Sequence, residues 1–258
     1  MEDLAGLAPA LAELNSPLLF HRLPAGYVPA LRDHLTKFGA VLWEPVSGCP
    51  WIPLDEGWRE PEQRLNAGRR SDVRRARRLA ESYGPVSYEV IAPEPDKLHS
   101  WLAAALQIEA ASWKGEAGSA LLADVPRLNF YRRYAELACE QGIFRCCFLR
   151  IGSRIAAMQL AIEFGGRFWL LKIGYDQGFA RCSPGTLLLL ESIRHAARRG
   201  LEAFEFLGCV EPWTRMWTDR ERPCVALRYY PSRLQGVVAH AAQALKTALR
   251  GMRGGLPL

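Results

Sequence analysis

Several marks of specialised protein classes are missing from this chain. None of its apolar runs approaches the roughly 18–20 residues that a membrane-spanning helix needs. The opening MEDLAGLAPALAEL is acidic and lacks the basic n-region of a signal peptide. Seven cysteines make an odd number with no Cys-x-x-Cys pair, and the five histidines are scattered. Neither set has metal-ligand spacing, so no zinc site is expected. Most cysteines sit in apolar contexts, which suits reduced thiols and predicts a cytoplasmic protein. Internal repeats and low-complexity tracts are also missing. What remains is an ordinary globular composition over 258 residues, 49% hydrophobic and 23% charged, enough for one large core or two modest ones. The net charge of +6 favours an anionic partner: a nucleotide cofactor, RNA or a membrane surface.

The first 65 residues are the least legible. Leu4–Leu14 and Ala30–Phe38 read as short helices, the first stopped by Asn15-Ser16-Pro17. Ala40–Trp43 has strand length, and Pro45 to Pro50 reads as a turn. The proline-interrupted Trp51–Leu54 reads as an edge or a loop, because proline cannot donate to a central ladder. Residues 69–78, RRSDVRRARR, place six arginines on one expected helix, capped or led by Ser71-Asp72 and ended by Gly84-Pro85. Such a helix is either a solvated face or an anion-binding face, where arginine's planar fork suits phosphate. A domain boundary is expected near residue 84.

From Val86 onward the signals strengthen. Val86–Ile91 alternates as a strand, and Asp96–Trp113 and Leu128–Gln141 show helical periodicity. Three strands are predicted at Phe144–Arg150, Ile155–Phe164 and Arg167–Gly174, joined by hairpin turns at Gly152-Ser153 and Gly165-Gly166. Leu171–Glu191, LKIGYDQGFARCSPGTLLLLE, then runs from strand end through a small-residue loop into an apolar helix. That outline is either a plain connection or an anion site at a helix N-terminus. The helix reaches Arg199-Gly200, and strands follow at Ala203–Leu207 and Cys224–Tyr230, separated by the aromatic loop Gly208–Trp217. Residues 232–253 form an amphipathic basic stretch that packs on its own domain or lies on a membrane or partner. Three segments result: 1–84, 85–231 and 232–258.

Strand, two helices, three antiparallel strands, helix and strand is the element order of the GNAT acyltransferases, an α/β (α+β) fold with a mainly antiparallel sheet flanked by helices. The sequence also resembles the CelD-type acetyltransferases associated with cellulose and exopolysaccharide biosynthesis. The specific matches are Lys172 to Asp176, Ser183 to Leu188, and Phe204 to Trp217. Weaker ones lie in Trp51–Leu79, Ala111 to Gly115 and Asn129 to Tyr131. A more distant likeness is to the Fem-type peptidyltransferases, which carry two GNAT-like halves and use aminoacyl-tRNA. The resemblance implies that residues 1–84 are a partial first half and 85–231 a complete one. It implies acyl-CoA, chiefly acetyl-CoA, as donor, held by Ile173, Arg181, Ser183, Gly185 and Thr186. The chain departs from the family's R/Q-x-x-G-x-G/A loop: aligned on Arg181, Pro184 stands at the first glycine and Thr186 at the second. Proline has no N–H, so the loop has one fewer donor for a pyrophosphate.

In a GNAT-like site the donor enters where Arg167–Gly174 diverges from Ala203–Leu207, and a strand N–H stabilises the thioester oxyanion. The acceptor amine or hydroxyl needs a base, for which Glu109, Asp176 and Glu211 are candidates, each alternatively a structural ion pair. Tyr175 is the candidate acid for the departing thiolate. Lys114, Lys172 and Arg215 are candidate contacts to the acceptor. Trp113, Trp213 and Trp217 are candidate platforms for a sugar or peptide, with core packing as the alternative, and Tyr131 is a further candidate substrate residue. Relatives tend to carry tyrosine-lysine at Trp213-Thr214, and Arg215 is the nearest replacement for that lysine. Cys182 precedes a helix N-terminus, where a thiolate would be favoured, but no histidine is placed to serve it, so direct transfer is expected. Three functions follow. The first is an acyltransferase acting on a small molecule or a glycan or cell-envelope precursor. The second is aminoacyl transfer from tRNA, and the third a non-catalytic scaffold with peripheral membrane contact.

Overall fold

Periodicity carries over most directly between residues 86 and 198. We describe the fold from a computed structural model covering residues 2–112, 118, 120–233, 236, 238, 239 and 241. The expected strand, helix and hairpin pattern appears as β3 (Val86–Ile91), α4 (Leu98–Ala110), α5 (Val125–Glu140), β4 (Phe144–Ile151), β5 (Arg154–Phe164), β6 (Arg167–Tyr175), α6 (Pro184–Arg198) and β7 (Ala203–Glu205). Ahead of them lie α1 (Glu2–Glu13), β1 (Leu18–Pro24), α2 (Val28–Leu35), β2 (Gly39–Pro53) and α3 (Ala67–Tyr83), and β8 (Glu221–Pro231) follows. The stretch from residue 232 onward that was expected to be amphipathic lies mostly outside the described residues. No helix among the described residues is long and apolar enough to cross a membrane.

Two compact units are present. The smaller comprises Met1–Cys49, Gly208–Val210 and Glu221–Leu258; in it β1 pairs antiparallel with β8, and Leu31, Leu35, Leu227 and Tyr229 form a small core. The larger comprises Pro50–Leu207 and Glu211–Arg220. The division therefore falls at Cys49/Pro50, not near residue 84. The arginine helix α3 belongs to the larger unit because Val73 and Ala80 pack into its core.

One expectation for residues 39–54 fails. Pro45 to Pro50 is not a turn: β2 runs unbroken through it, and its last residues, Trp51–Pro53, pair antiparallel with β7. Gly48 reads as turn punctuation, yet it answers a close approach within the smaller unit. A Cβ there would lie 2.7 Å from the carbonyl oxygen of Arg222. The strand β1 has no counterpart in the sequence reading.

In the larger unit β3, β4, β5 and β6 pair antiparallel in succession, and β6 pairs parallel with β7. Alternation along β4 sends Cys147, Leu149 and Ile151 to a core shared with α3 and α6. Phe144, Cys146 and Phe148 go to a second core under α4 and α5. Each fully buried Leu or Phe of these layers contributes about 1.5–3 kcal/mol of transfer free energy, before conformational entropy is charged against it. Gly152, Gly165 and Gly166 take positive φ at the hairpin turns, where a side chain would be strained.

β6 contains one extra residue. Lys172 pairs with Leu160 and Leu170 with Ala161, so Leu171 stands unopposed as a bulge. Because side chains alternate with a period of two, this residue inverts the facing of everything after it. Phe168 and Leu170 face the α3/α6 core, and past the bulge it is Ile173 and Tyr175 that rejoin that core. Lys172 is turned to the α4/α5 side.

Candidate functional site

The site forms where β6 leaves its neighbour. The β6/β7 ladder covers only Arg167–Trp169 against Ala203–Glu205, although β6 continues to Tyr175. The sheet opens on the α3/α6 side, and a cavity of about 430 Å³ fills the opening. Its wall takes Met158 and Gln159 from β5, Ile173 to Tyr175 from β6, Ser183 to Thr186 and Leu189 from α6 and its approach, and Glu211, Trp213 and Trp217 from the turn after residue 210. Tyr175 packs beside Gly185, where a Cβ would lie 3.7 Å from the ring. The Glu211 carboxylate accepts the indole N–H of Trp213 at 2.7 Å, and Trp213 meets Phe206 edge to face at 5.8 Å. Gln159 is buried in the middle of β5 and accepts the Ser192 hydroxyl at 2.6 Å. Sequence reasoning passed over it. The signal was a lone amide inside the apolar run Ala156–Ile162, where burial demands a partner.

The start of α6 borders a second cavity. Arg69, Asp72 and Arg75 from α3 line a groove of about 540 Å³ together with Arg181, Ser183 and Thr186, so Ser183 and Thr186 belong to both cavities. The helix α3 is held for this by its own cap and by a cluster of charges. The Asn66 side chain accepts the Arg69 N–H at 2.8 Å, so the cap is Asn66 and not the expected Ser71-Asp72. Farther along, Arg77 lies 3.5 Å from Glu62 and 3.4 Å from Glu191, while Arg194 binds both Glu62, at 2.6 Å, and Glu191. Burial works against the Arg194 cation, but its two carboxylate partners hold it charged. These contacts lock α3 to α6.

The helix end itself offers little to an anion. Ser183 takes a left-handed conformation, φ 46° and ψ 51°, in the loop before Pro184. Its carbonyl accepts the N–H groups of both Thr186 and Leu187, at 3.0 and 3.2 Å. Pro184 has none to give. Gly185 therefore keeps the one N–H of this first turn without a partner among the described residues.

The remaining candidates are distributed as follows. Asp176 lies outside the cavity wall. It accepts the Gly178 N–H at 2.8 Å, capping the 3-10 helix Gln177–Cys182, and pairs with Arg154 at 2.6 Å. Glu109 is fully buried near the end of α4; its carboxylate accepts the Leu121 N–H at 3.0 Å and lies 3.3 Å from the Lys172 ammonium. The same ammonium stands 5.2 Å from the centre of the Tyr131 ring, and burial pushes the Tyr131 phenol's pKa up. Glu109, Lys172 and Tyr131 thus form one cluster on the α4/α5 side. Arg215 is exposed in the turn that carries Glu211 and Trp213. Trp113 and Lys114 lie outside the described residues. Cys182 departs from expectation: it is completely buried, and that burial raises its thiol pKa against the opposing pull of Arg181. His195 faces away from the site, 2.8 Å from Glu163.

Residues 67–215, more than half of the chain, match the family described as acetyltransferase (GNAT) domain, and the match begins with α3. The chain belongs to this family. The GNAT domain thus coincides with most of the larger unit, and the parting of β6 from β7 lies within it. No curated protein sequence matches the chain. Among solved structures, the fold is similar to the C-terminal domain (DUF2156) of a putative lysylphosphatidylglycerol synthetase from Agrobacterium fabrum. That likeness has a TM-score of 0.56 at 12% identity, covering 95% of this chain and 76% of that one. FemX gives a TM-score of 0.55 at 11% identity, covering 93% and 79%. A conserved protein of unknown function from Bacteroides thetaiotaomicron gives 0.55 at 14%, covering 87% and 75%. At such identities the likeness is one of fold.

Proposed function

We propose that this GNAT acyltransferase moves an acyl group, chiefly acetyl, from acyl-CoA to an amine or hydroxyl of a sugar or cell-envelope precursor. The observation that carries the reading is the cavity at the β6/β7 opening, which brings Tyr175 and Glu211 to one apolar chamber. In the transfer, the acceptor nitrogen or oxygen attacks the thioester carbonyl and the carbon–sulfur bond breaks. The acceptor's proton passes to Glu211, and the departing thiolate takes a proton from Tyr175. Asp176, which caps the 3-10 helix Gln177–Cys182, and Glu109, which is buried against Lys172, both lie outside the wall of this cavity and serve better as structural groups. Trp213 and Trp217 supply flat apolar wall against which an acyl chain or a sugar face can rest. The glycan class of acceptor is supported by the resemblance to CelD-type enzymes in Lys172–Asp176 and Phe204–Trp217.

Thermal unfolding with and without acetyl-CoA tests the donor. At a hundredfold excess over its dissociation constant, a ligand of the folded state adds about 2.7 kcal/mol. No shift with any acyl-CoA would sink this reading.

A second reading, aminoacyl transfer from charged tRNA, is favoured by one observation: α3 turns Arg69 and Arg75 into the groove beside α6. Its signature is tRNA binding that weakens steeply with salt. Binding that is absent or indifferent to salt removes it.

A further inference from the structure

The groove under α3 has features that the transfer chemistry does not use. It is lined by three arginines, Arg69 and Arg75 from α3 and Arg181 from the loop before α6, against one carboxylate, Asp72. Asp72 is occupied with Arg75 at 3.0 Å. Arg69 and Arg181 have no ion-pair partner among the described residues. Behind these charges the wall is apolar, built from Val73, Ala76, Leu79 and Met216. Positive forks above an apolar wall suit a ligand that carries phosphates on a flat, poorly hydrated body, which describes a nucleotide.

The neighbouring backbone sharpens the case. A helix N-terminus binds phosphate through its free N–H groups. Here Pro184 contributes none, and Thr186 and Leu187 give theirs to Ser183. One N–H, that of Gly185, cannot cradle a diphosphate. A phosphate-bearing ligand beside α6 must be held by side chains, and those side chains are the arginines of the groove.

We infer that the groove binds the phosphorylated nucleotide end of the acyl donor, with Arg69, Arg75 and Arg181 doing what loop amides cannot. This rests on the acyl-CoA reading above. It adds that α3 is a specificity element. The donor's reactive end lies in the apolar cavity, its nucleotide lies against α3, and its connecting arm passes Ser183 and Thr186, which line both. The lock of Arg77 and Arg194 onto Glu62 and Glu191 keeps the arginine face in place.

Titration calorimetry on the full chain tests it, with coenzyme A and pantetheine as probes, the second lacking the nucleotide. A charge-assisted hydrogen bond to phosphate is worth roughly tenfold in affinity. Arg69→Gln with Arg75→Gln should weaken coenzyme A about a hundredfold and leave pantetheine affinity unaltered. Asp72→Asn should tighten coenzyme A by about threefold, because the lone carboxylate is gone and Arg75 is released. That gain cannot arise from misfolding. If wild type binds coenzyme A and the double variant binds it equally well, the groove assignment is overturned while the acyl-CoA reading stands. A loss that is equal for coenzyme A and pantetheine also overturns it. If wild type binds neither probe, the acyl-CoA reading itself falls, and the inference with it.

Discussion

The two cavities that meet at Ser183 and Thr186 are built from opposite materials around one helix end. One is walled by Met158, Ile173, Leu189 and two tryptophans, with Tyr175 and Glu211 set into the apolar lining. The other is edged by Arg69, Arg75 and Arg181, all three of them exposed. On the proposed reading, the first holds a half-buried proton donor, Tyr175, and an exposed proton acceptor, Glu211, whose placement governs their effect. In the second, charge acts near water, where several arginines are needed because each is screened. If the proposed roles hold, chemistry and capture meet at Ser183 and Thr186, and changes in one cavity should leave the signature of the other intact.

The largest expected effect breaks the first cavity alone. Tyr175→Phe should lower kcat about 10²–10⁴-fold, the range for loss of a general acid, and Glu211→Gln should fall in the same range. Coenzyme A affinity in calorimetry should stay within about twofold for both, and a parallel loss of affinity would merge the two regions. Next, Arg194→Met leaves Glu62 and Glu191 half-buried with Arg77 as their remaining partner. It should cost roughly 3 kcal/mol in urea unfolding and weaken coenzyme A through a displaced α3. A variant that binds coenzyme A normally would show that the charge cluster does not hold the groove.

Gly174→Ala probes the boundary between β6 and α4. A Cβ at Gly174 would lie 2.8 Å from the Glu109 Cα, so α4 must give way. The cost should be about 1–3 kcal/mol, with kcat reduced because Ile173 and Tyr175 move with the strand. Unchanged unfolding and turnover would mean that the contact relaxes freely.

The smallest effect lies outside both cavities. Burial opposes ionisation of Glu163, but hydrogen bonds from His195 and Arg145 prevail and hold its carboxyl at about 2, below the ordinary 4.5. The folded value is depressed, so this stabilisation is complete above about pH 4.5 and is lost as pH falls toward 2. Wild type should exceed Glu163→Gln in stability by on the order of 1–2 kcal/mol at pH 6, and the gap should close by pH 2–3 in thermal melts. A gap that persists at low pH would assign it to packing.

The fold of the larger unit was legible wherever one pattern dominated. The alternation of Val86–Ile91, the helical spacing of Leu102 and Leu106, and the glycine hairpins at Gly152 and Gly165 each admit one local structure. Residues 39–53 were misread because Pro45, Gly48 and Pro50 imitate a turn, whereas Gly48 answers the nearness of the Arg222 carbonyl, a contact far away in sequence. The site was half legible. The strand, loop and helix around Tyr175 and Ser183 announced themselves by composition. Nothing in the order of residues placed Arg69 beside Ser183, or buried Glu109 against Lys172.

The sequence by itself determined the element order from β3 to β7, the family, and the stretch from Lys172 to Thr186 as the place of interest, because periodicity and turn residues act over a few neighbours. Only the tertiary structure decided which side chains meet there. The single extra residue at Leu171 turns Tyr175 toward α6 and Lys172 toward α4, and a bulge is defined by the register of two strands, not by the composition of one. The charges Arg77, Glu62, Glu191 and Arg194 bring α3 against α6 across more than a hundred residues of chain. Such contacts depend on loop closure and burial, and so they exist only once the chain has folded.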